Sequence, residues 1–290
     1  MKRIFVVGSV NADFVISAPR MPAGGETLTG SGFFTARGGK GANQAVAACR
    51  MGGNVKMCAC VGDDVFGQES VKAFTEEGMD VSHIRTIKDA PTGSAVIVVP
   101  DGENRIILDK GANARLTKED VDAFLAEAEA GDIYLTQLEN PVDVIGYGLK
   151  RAKEKDLYVV LNPAPASEAI EPYLDYCDLI IPNETELKIL GGKEKLLAKT
   201  NAKLLVTLGE NGYQIVTKKG ERTHPCMRVR VEDTTAAGDT FAGALVSCLA
   251  RGEALEEAAA FASKAATIAC TKKGAQPSIP TIKEVESYKA

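Results

Sequence analysis

The chain has no tryptophan and only two histidines, His83 and His224, neither of which has a ligand-like partner at helical spacing. A zinc site or a histidine-based nucleophilic triad therefore has nothing to build on. The seven cysteines are odd in number and form no C-x-x-C pair. Cys58 and Cys60 alternate in a strand-like run, while Cys248 and Cys270 lie in Ala-rich helical patterns. This usage predicts reduced, buried thiols in a cytoplasmic protein rather than a disulfide framework. No hydrophobic run is long enough to span a membrane. The apolar stretch Ile4–Gly8, behind Met1-Lys2-Arg3, is too short for a signal-peptide core and lacks a small-residue cleavage site. There is no basic excess: the formal net charge of −5 argues against a nucleic-acid partner. What is present is 290 residues with 45% apolar content, enough to bury a substantial core without staples.

Apolar β-branched runs alternate with amphipathic segments, the pattern of an α/β protein with a parallel sheet and crossover helices. Ile4–Gly8 is expected as the first strand, Ala42–Met51 as a helix closed by Gly52-Gly53, and Val55–Val61 as the next strand. Further pairs follow: helix 117–130 before strand 133–138, helix 142–153 before strand 157–161, and strand 178–181 before a short helix ending at Gly191-Gly192. Strand 203–208 runs through Gly209-Glu210-Asn211-Gly212 into Tyr213–Thr217 as a hairpin, and Ala-rich helices over 238–251 and 254–271 close the core. Two stretches break the rhythm, about 13–34 and about 92–108, the latter around Pro100-Asp101-Gly102-Glu103-Asn104. Both have the alternation of antiparallel hairpins, and read either as surface excursions or as a lid over the strand ends.

The segment richest in chemistry is Asp233-Thr234-Thr235-Ala236-Ala237-Gly238-Asp239, which runs straight into a helical stretch. Small residues at Ala236, Ala237 and Gly238 allow close approach of a ligand, and free N–H groups at a helix start suit phosphate oxygens. Asp239 in the first turn has two readings: a general base for an attacking hydroxyl, or a complement to the helix dipole. The second glycine segment, Gly38-Gly39-Lys40-Gly41-Ala42-Asn43-Gln44, has neither Walker nor dinucleotide spacing. It reads as a turn, or as backbone near a polar ligand with Lys40 and Asn43 as donors. Asn11, Asp13 and Glu139 follow strand ends, where an α/β sheet gathers ligand contacts, and also fit as turn or cap residues. Asn183 and Glu186, spaced N-x-x-E, read as a capping box or as a carboxylate beside hydrated Mg²⁺.

In these residues the chain resembles the PfkB (ribokinase-like) sugar kinase family. G-G-K-G-A-N-Q-A at Gly38–Ala45 is similar to the family's first signature, and D-T-T-A-A-G-D-T-F-A-G-A-L at Asp233–Leu245 to its second. Agreement continues through Asn11-Ala12-Asp13, Thr92-Gly93-Ser94-Ala95, Gly102-Glu103-Asn104, Gly111-Ala112-Asn113, Gln137-Leu138-Glu139, Asn183-Glu184-Thr185-Glu186 and Lys273–Ser278.

Covering almost the whole chain, the resemblance implies a single ribokinase-like domain over 1–290, a three-layer α/β/α fold with a mostly parallel sheet and a small β-strand lid. It implies transfer of the γ-phosphoryl group of ATP to O5 of ribose. Other acceptors are deoxyribose, a ketohexose or a nucleoside, and a reading of a different class is a catalytically silent sugar sensor. By resemblance Asp239 is the base, Ala236, Ala237 and Gly238 form the anion hole, and Asn11, Asp13, Gly39, Lys40, Asn43 and Glu139 hold the sugar. Asn183, Thr207, Gly209, Gly212 and Gly238 fall on the nucleotide side, and Glu186 on Mg²⁺ through water. Asp233, Thr235, Ala269, Lys272, Gly274 and Ser278 correspond to a K⁺ site, and the lid to a homodimer contact. One departure from the family pattern is a short connection between Glu186 and Lys203, which bears on nucleotide preference more than on the chemistry.

Overall fold

A strand buried on both faces needs a continuous apolar run, and β1 (Arg3–Val7) has one after Arg3: Ile4 and Val6 pack into one core, Phe5 and Val7 into the other. The computed structural model describes residues 1–100 and 104–289. After β1 the chain leaves the sheet as β2 (Asn11–Ala18) and β3 (Ser31–Gly38) and returns through α1 (Lys40–Arg50), β4 (Asn54–Gly62), α2 (Val65–Glu76) and β5 (Asp80–Ile87). A second excursion, β6 (Gly93–Pro100) and β7 (Arg105–Asp109), precedes α3 (Lys118–Leu125), β8 (Ile133–Thr136), α4 (Val142–Glu154), β9 (Tyr158–Leu161) and β10 (Leu179–Ile180). Then come α5 (Glu184–Ile189), α6 (Gly192–Lys199), β11 (Lys203–Thr207), β12 (Tyr213–Thr217), β13 (Gly220–His224), α7 (Ala237–Ala250), α8 (Leu255–Ala269) and α9 (Ile282–Ser287).

The main sheet has nine strands in the order β13-β12-β11-β10-β9-β8-β1-β4-β5. From β11 to β5 every pairing is parallel, and only the β12–β13 end is antiparallel. Helices α1, α2, α7, α8 and α9 cover one face, where Met57 and Leu205 join Ile4 and Val6; α3 to α6 cover the other, with Phe124 and Leu149 against Phe5 and Val7. This is the three-layer α/β/α arrangement. Removing Leu or Phe side chains of this kind from water contributes about 1.5–3 kcal/mol each before entropy.

The order β8-β1-β4 places β1 where the chain's direction of travel across the sheet reverses, because β4 lies on one side and β8, reached later, on the other. A crevice opens at the carboxyl ends of the strands at such a point. The two excursions cover it. Each is an antiparallel hairpin as expected, β2 with β3 and β6 with β7, and the two are joined: β2 pairs parallel with β6, from Asn11↔Gly93 to Ala18↔Pro100, so all four strands make one sheet in the order β3-β2-β6-β7. Its strands run from Asn11 to Ala18, Ser31 to Gly38, Gly93 to Pro100 and Arg105 to Asp109, slightly beyond the expected lid bounds. The turn expected over Asp101-Gly102-Glu103 lies outside the described residues.

Helix α3 ends at Leu125, short of the expected Ala130. The short connection after Glu186 holds the rest of α5 and all of α6. All seven cysteines are free; Cys58, Cys60, Cys177 and Cys248 are buried, but Cys49, Cys226 and Cys270 are only half-buried, a correction to the expectation of uniformly buried thiols. Among the described residues no helix is long and apolar enough to cross a membrane.

Candidate active site

Three chain segments converge at the carboxyl end of β1, and glycines let them do so. Gly39, at φ 90°, precedes α1, and a Cβ there would sit 2.8 Å from both the Asn11 nitrogen and the Ser9 carbonyl. Gly38 lies under the Asp13 carboxylate, which a side chain at 38 would displace. Asn11 and Asp13, two apart on β2, share the face that looks into the crevice. Asn11 is fixed by Asn113, whose Nδ2 donates to Asn11 Oδ1 at 2.8 Å and whose Oδ1 accepts the Val10 N–H at 2.9 Å.

Glu139, just beyond β8, accepts from the Ser9 hydroxyl, from the Lys40 backbone N–H at 3.0 Å and from Asn11 Nδ2 at 3.4 Å. These bonds join the strand end to the start of α1. The result is a wall of buried polar groups, a donor and acceptor set suited to vicinal hydroxyls.

Asp239, in the first turn of α7, completes the wall at 7% exposure. Its Oδ2 accepts from Asn43 Nδ2 at 2.9 Å and its Oδ1 from Gln44 Nε2 at 3.0 Å. The approach of α1 to α7 depends on Gly243, where a Cβ would collide with the Gln44 carbonyl oxygen and the Ala47 side chain. Electrostatically the site is acidic around one cation. Burial, then Glu139 and Asp239, push the Asp13 carboxyl up to about 7. Burial opposes the charge on Lys40, but Asp239, Glu139 and Glu186 outweigh it and hold the ammonium above its ordinary value. The Glu186 carboxyl is raised by burial and by Asp239, against the opposing pull of the Asn183 N–H and Lys40.

The turn leading into α7 has the backbone geometry an anion site needs. Ala236 adopts the left-handed conformation (φ 59°, ψ 12°), which aims successive N–H groups to one side. The Ala237 N–H is bonded to the Thr234 carbonyl at 3.2 Å, whereas among the described residues those of Ala236 and Gly238 are unspent. A Cβ on Gly238 would meet nothing within 4 Å, so this turn faces open space.

Behind it, Asp233 ties two loops together: Oδ1 accepts from the Thr235 N–H at 2.8 Å and hydroxyl at 2.6 Å, and Oδ2 from the Gly274 N–H at 2.9 Å. Burial would raise this carboxyl, but those bonds hold it below the ordinary range. The Ala269 carbonyl caps Lys272 at 3.1 Å, and the Ser278 hydroxyl donates to the Ala275 carbonyl at 2.8 Å. A carboxylate held ionised in this way beside the Gly274 loop, with no basic side chain bonded to it among the described residues, is an oxygen donor of the kind a monovalent cation takes.

The remaining expected residues divide. Asn183 and Glu186 form the capping box in full, Glu186 N–H to Asn183 Oδ1 at 2.8 Å and Asn183 N–H to Glu186 Oε2 at 2.9 Å. Thr207 is bridged to Asn183 at the next strand end, its N–H bonded to the Pro182 carbonyl at 3.0 Å. Gly209 is open to solvent at φ 55°, but Gly212 is demanded by its own hairpin, since a side chain would strike the His224 carbonyl oxygen. Five residues in the wall carried no assigned role in the sequence reading: Ser9, Gln44, Asn113, Gln137 and Asn162.

A family model described as pfkB family carbohydrate kinase matches residues 1–282. The chain is 42% identical to a ribokinase of Haemophilus influenzae, over 99% of this chain and 98% of that one. Its fold is similar to the crystal structure of a ribokinase from Thermotoga maritima, with TM-score 0.89 and 36% identity over 99% of both chains. It is also similar to an Arabidopsis thaliana ribokinase complexed with ribose and ATP, with TM-score 0.87 and 30% identity over 98% of this chain and 97% of that one.

Proposed function

The chain belongs to the pfkB family of carbohydrate kinases, and on that premise we propose that it is an ATP-dependent ribose kinase, moving the γ-phosphoryl group of MgATP to O5 of D-ribose. The observation that carries this reading is the position of Asp239: a buried carboxylate at the start of α7, flanked by unspent N–H groups and facing a wall of hydroxyl-binding side chains. Phosphoryl transfer asks little covalent chemistry of a protein; it asks for alignment and for positive charge where negative charge develops.

In this mechanism Asn11, Asp13, Gly39, Lys40, Asn43 and Glu139 hold the sugar with its primary hydroxyl at Asp239. Asp239 takes the hydroxyl proton as the oxygen attacks phosphorus. The turn Ala236-Ala237-Gly238 and the dipole of α7 meet the charge on the transferred group. The Ala237 N–H would exchange its bond to Thr234 for that oxygen. Lid closure by the four-stranded sheet excludes water, which otherwise competes as acceptor. The nucleotide lies along the ends of β10 and β11, by Asn183, Thr207, Gly209 and Gly212.

Glu186 fits Mg²⁺ through water, since its carboxylate is held in place by Asn183 and makes no salt bridge among the described residues; bound there, the ion would supply neutralisation of phosphate charge. Asp233, Thr235, Ala269, Lys272, Gly274 and Ser278 would hold K⁺, which supplies positive charge behind the anion-binding turn. The reading includes a homodimer formed through the lid and a reducing, cytoplasmic setting, supported by free thiols that burial pushes to about 12 at Cys49, Cys60 and Cys248.

The test is a coupled ADP-release assay over ribose, deoxyribose, ketohexoses and nucleosides, with Asp239→Asn beside the native chain. Ribose is expected to give the highest kcat/KM, and Asp239→Asn to lose about a thousandfold in kcat while ribose still binds. Sugar binding by the native chain with no ADP release would make it a sensor instead.

A further inference from the structure

The oxygen atoms of Asp239 are not equivalent. Asn162, buried just beyond β9, donates from Nδ2 to the Ile181 carbonyl at 2.7 Å. A carbonyl can only accept, so the Asn162 amide has one orientation, with Oδ1 turned toward Gln44. Gln44 must then present its NH₂ group, and does so twice, to Asn162 Oδ1 at 2.9 Å and to Asp239 Oδ1 at 3.0 Å. Its own Oε1 accepts from Gln137 Nε2 at 2.6 Å. Both Gln44 amide hydrogens are spent, and rotating the amide would set oxygen against oxygen at two places. The orientation is therefore fixed at a backbone carbonyl and passed through two amides to the carboxylate.

Asn43, on the other oxygen, is different: its Nδ2 donates to Asp239 Oδ2, but its Oδ1 is buried without a partner among the described residues. Nothing locks that amide, so it can turn and accept from a protonated Oδ2. The charged neighbours of Asp239 are Lys40 on α1, Asp13 on β2 and Glu186 on α5, with Glu139 beside Asp13. None of them is bonded to Oδ1 among the described residues.

We propose that Gln44 is a positioning residue for phosphoryl transfer: its locked amide keeps Asp239 Oδ1 a permanent acceptor and leaves Oδ2 as the oxygen that takes the substrate proton. This rests on the kinase reading above. The substrate O–H bond breaks with its proton moving to Oδ2, and the electron pair left on oxygen forms the new O–P bond. The P–O bond to ADP breaks with its pair on the departing oxygen. A proton on Oδ1 would face an N–H that cannot turn away, so the carboxylate has one productive face and one rotamer.

The experiment compares the native chain with Gln44→Met, close in volume, and with Asn162→Leu, which frees the Gln44 amide while leaving Gln44 in place. Each is measured for ribose affinity by calorimetry and for kcat across pH. Gln44→Met is expected to lower kcat about tenfold to a hundredfold with ribose affinity changed less than about threefold. The acid limb of its kcat–pH profile moves to higher pH, because a carboxylate that has lost an N–H donor keeps its proton more readily. Asn162→Leu shifts the limb in the same direction by less, and answers the question if Gln44→Met does not fold. A merely structural role would change the melting temperature and not the limb. An active native chain, with kcat and acid limb unchanged in a folded variant, overturns the inference alone. A native chain that releases no ADP with any acceptor overturns the kinase reading and this inference with it.

Discussion

Asp13 is the residue whose chemistry is most displaced by its surroundings. Its carboxyl, 8% exposed and beside Glu139 and Asp239, is pushed up to about 7 from 3.8. The folded-state value lies above the unfolded one, so the fold binds this proton more tightly. The associated stability is complete below about pH 4 and is lost as pH rises through about 7. Asp13→Asn is therefore expected to melt higher than the native chain at about pH 8, by the equivalent of roughly 2–4 kcal/mol, with the gap closing toward pH 4. In the proposed sugar site the ionised form is the better acceptor for a hydroxyl pair, so ribose affinity should rise through the same window. The variant should lose that rise, together with about tenfold in affinity. Calorimetric melting and ribose titration at several pH values check both; a native chain whose ribose affinity is flat from pH 5 to about 8 removes Asp13 from this role. At this scale the sequence was informative where a residue followed a strand end or a glycine turn, as Asn11, Asp13, Glu139 and Asp239 do. It was silent on Asn162, which follows β9 before a proline and reads as an ordinary turn residue, because its partners Gln44 and Ile181 are distant along the chain.

Helix α7 does two things at once, and they are coupled through its contact with α1. Its first turn carries Asp239 and the anion-binding turn; its next turn carries Gly243, against which the Gln44 carbonyl and Ala47 lie with no room for a methyl group. Gly243→Ala must push the two helices apart, a strain of about 1–3 kcal/mol. The displacement moves Asn43 and Gln44 away from the carboxylate they hold. Lower melting temperature should therefore come with a fall in kcat of about tenfold, out of proportion to any change in ribose affinity. A variant that is destabilised yet turns over at the native rate would show that the α1–α7 spacing does not set the base. The Ala-rich helices themselves were plain in the sequence, since small residues at helical spacing between glycine breaks leave little alternative. What could not be read was that their smallness serves a close crossing. The two antiparallel hairpins of the lid were legible, but not the parallel β2–β6 ladder that joins them, since it pairs segments some eighty residues apart with no local signal.

Taken as a whole, the molecule gathers its proposed catalytic groups at the carboxyl edge of a parallel sheet, with Asp239 at the start of α7, and covers them with a second sheet that is apolar where it meets water. Phe33 (64% exposed), Phe34 (45%), Val96 (46%), Ile106 (59%) and Ile107 (70%) all lie on the lid strands. The outer strands β3 and β7 also leave sheet edges free of strand pairing among the described residues. Clustered apolar side chains and open edges of this kind suit an interface, and in the proposed homodimer a second copy of the same lid would be the self-complementary occupant. The proposed dimer would also brace the catalytic cover, because β2 carries both Asn11 and Asp13 and is held in the lid only by β3 and β6. Val96→Asp with Ile107→Asp charges a cross-strand pair on the lid face opposite to that of Asn11 and Asp13, away from the crevice. Sedimentation at micromolar concentration is expected to give twice the chain mass for the native protein and a single chain mass for the double variant. Because β2 would then lose the bracing of the paired lids, KM for ribose should rise by about tenfold while the ATP dependence changes little. A native chain that sediments as a monomer, or a monomeric variant with unaltered ribose KM, would separate the lid's apolar surface from the organisation of the sugar site.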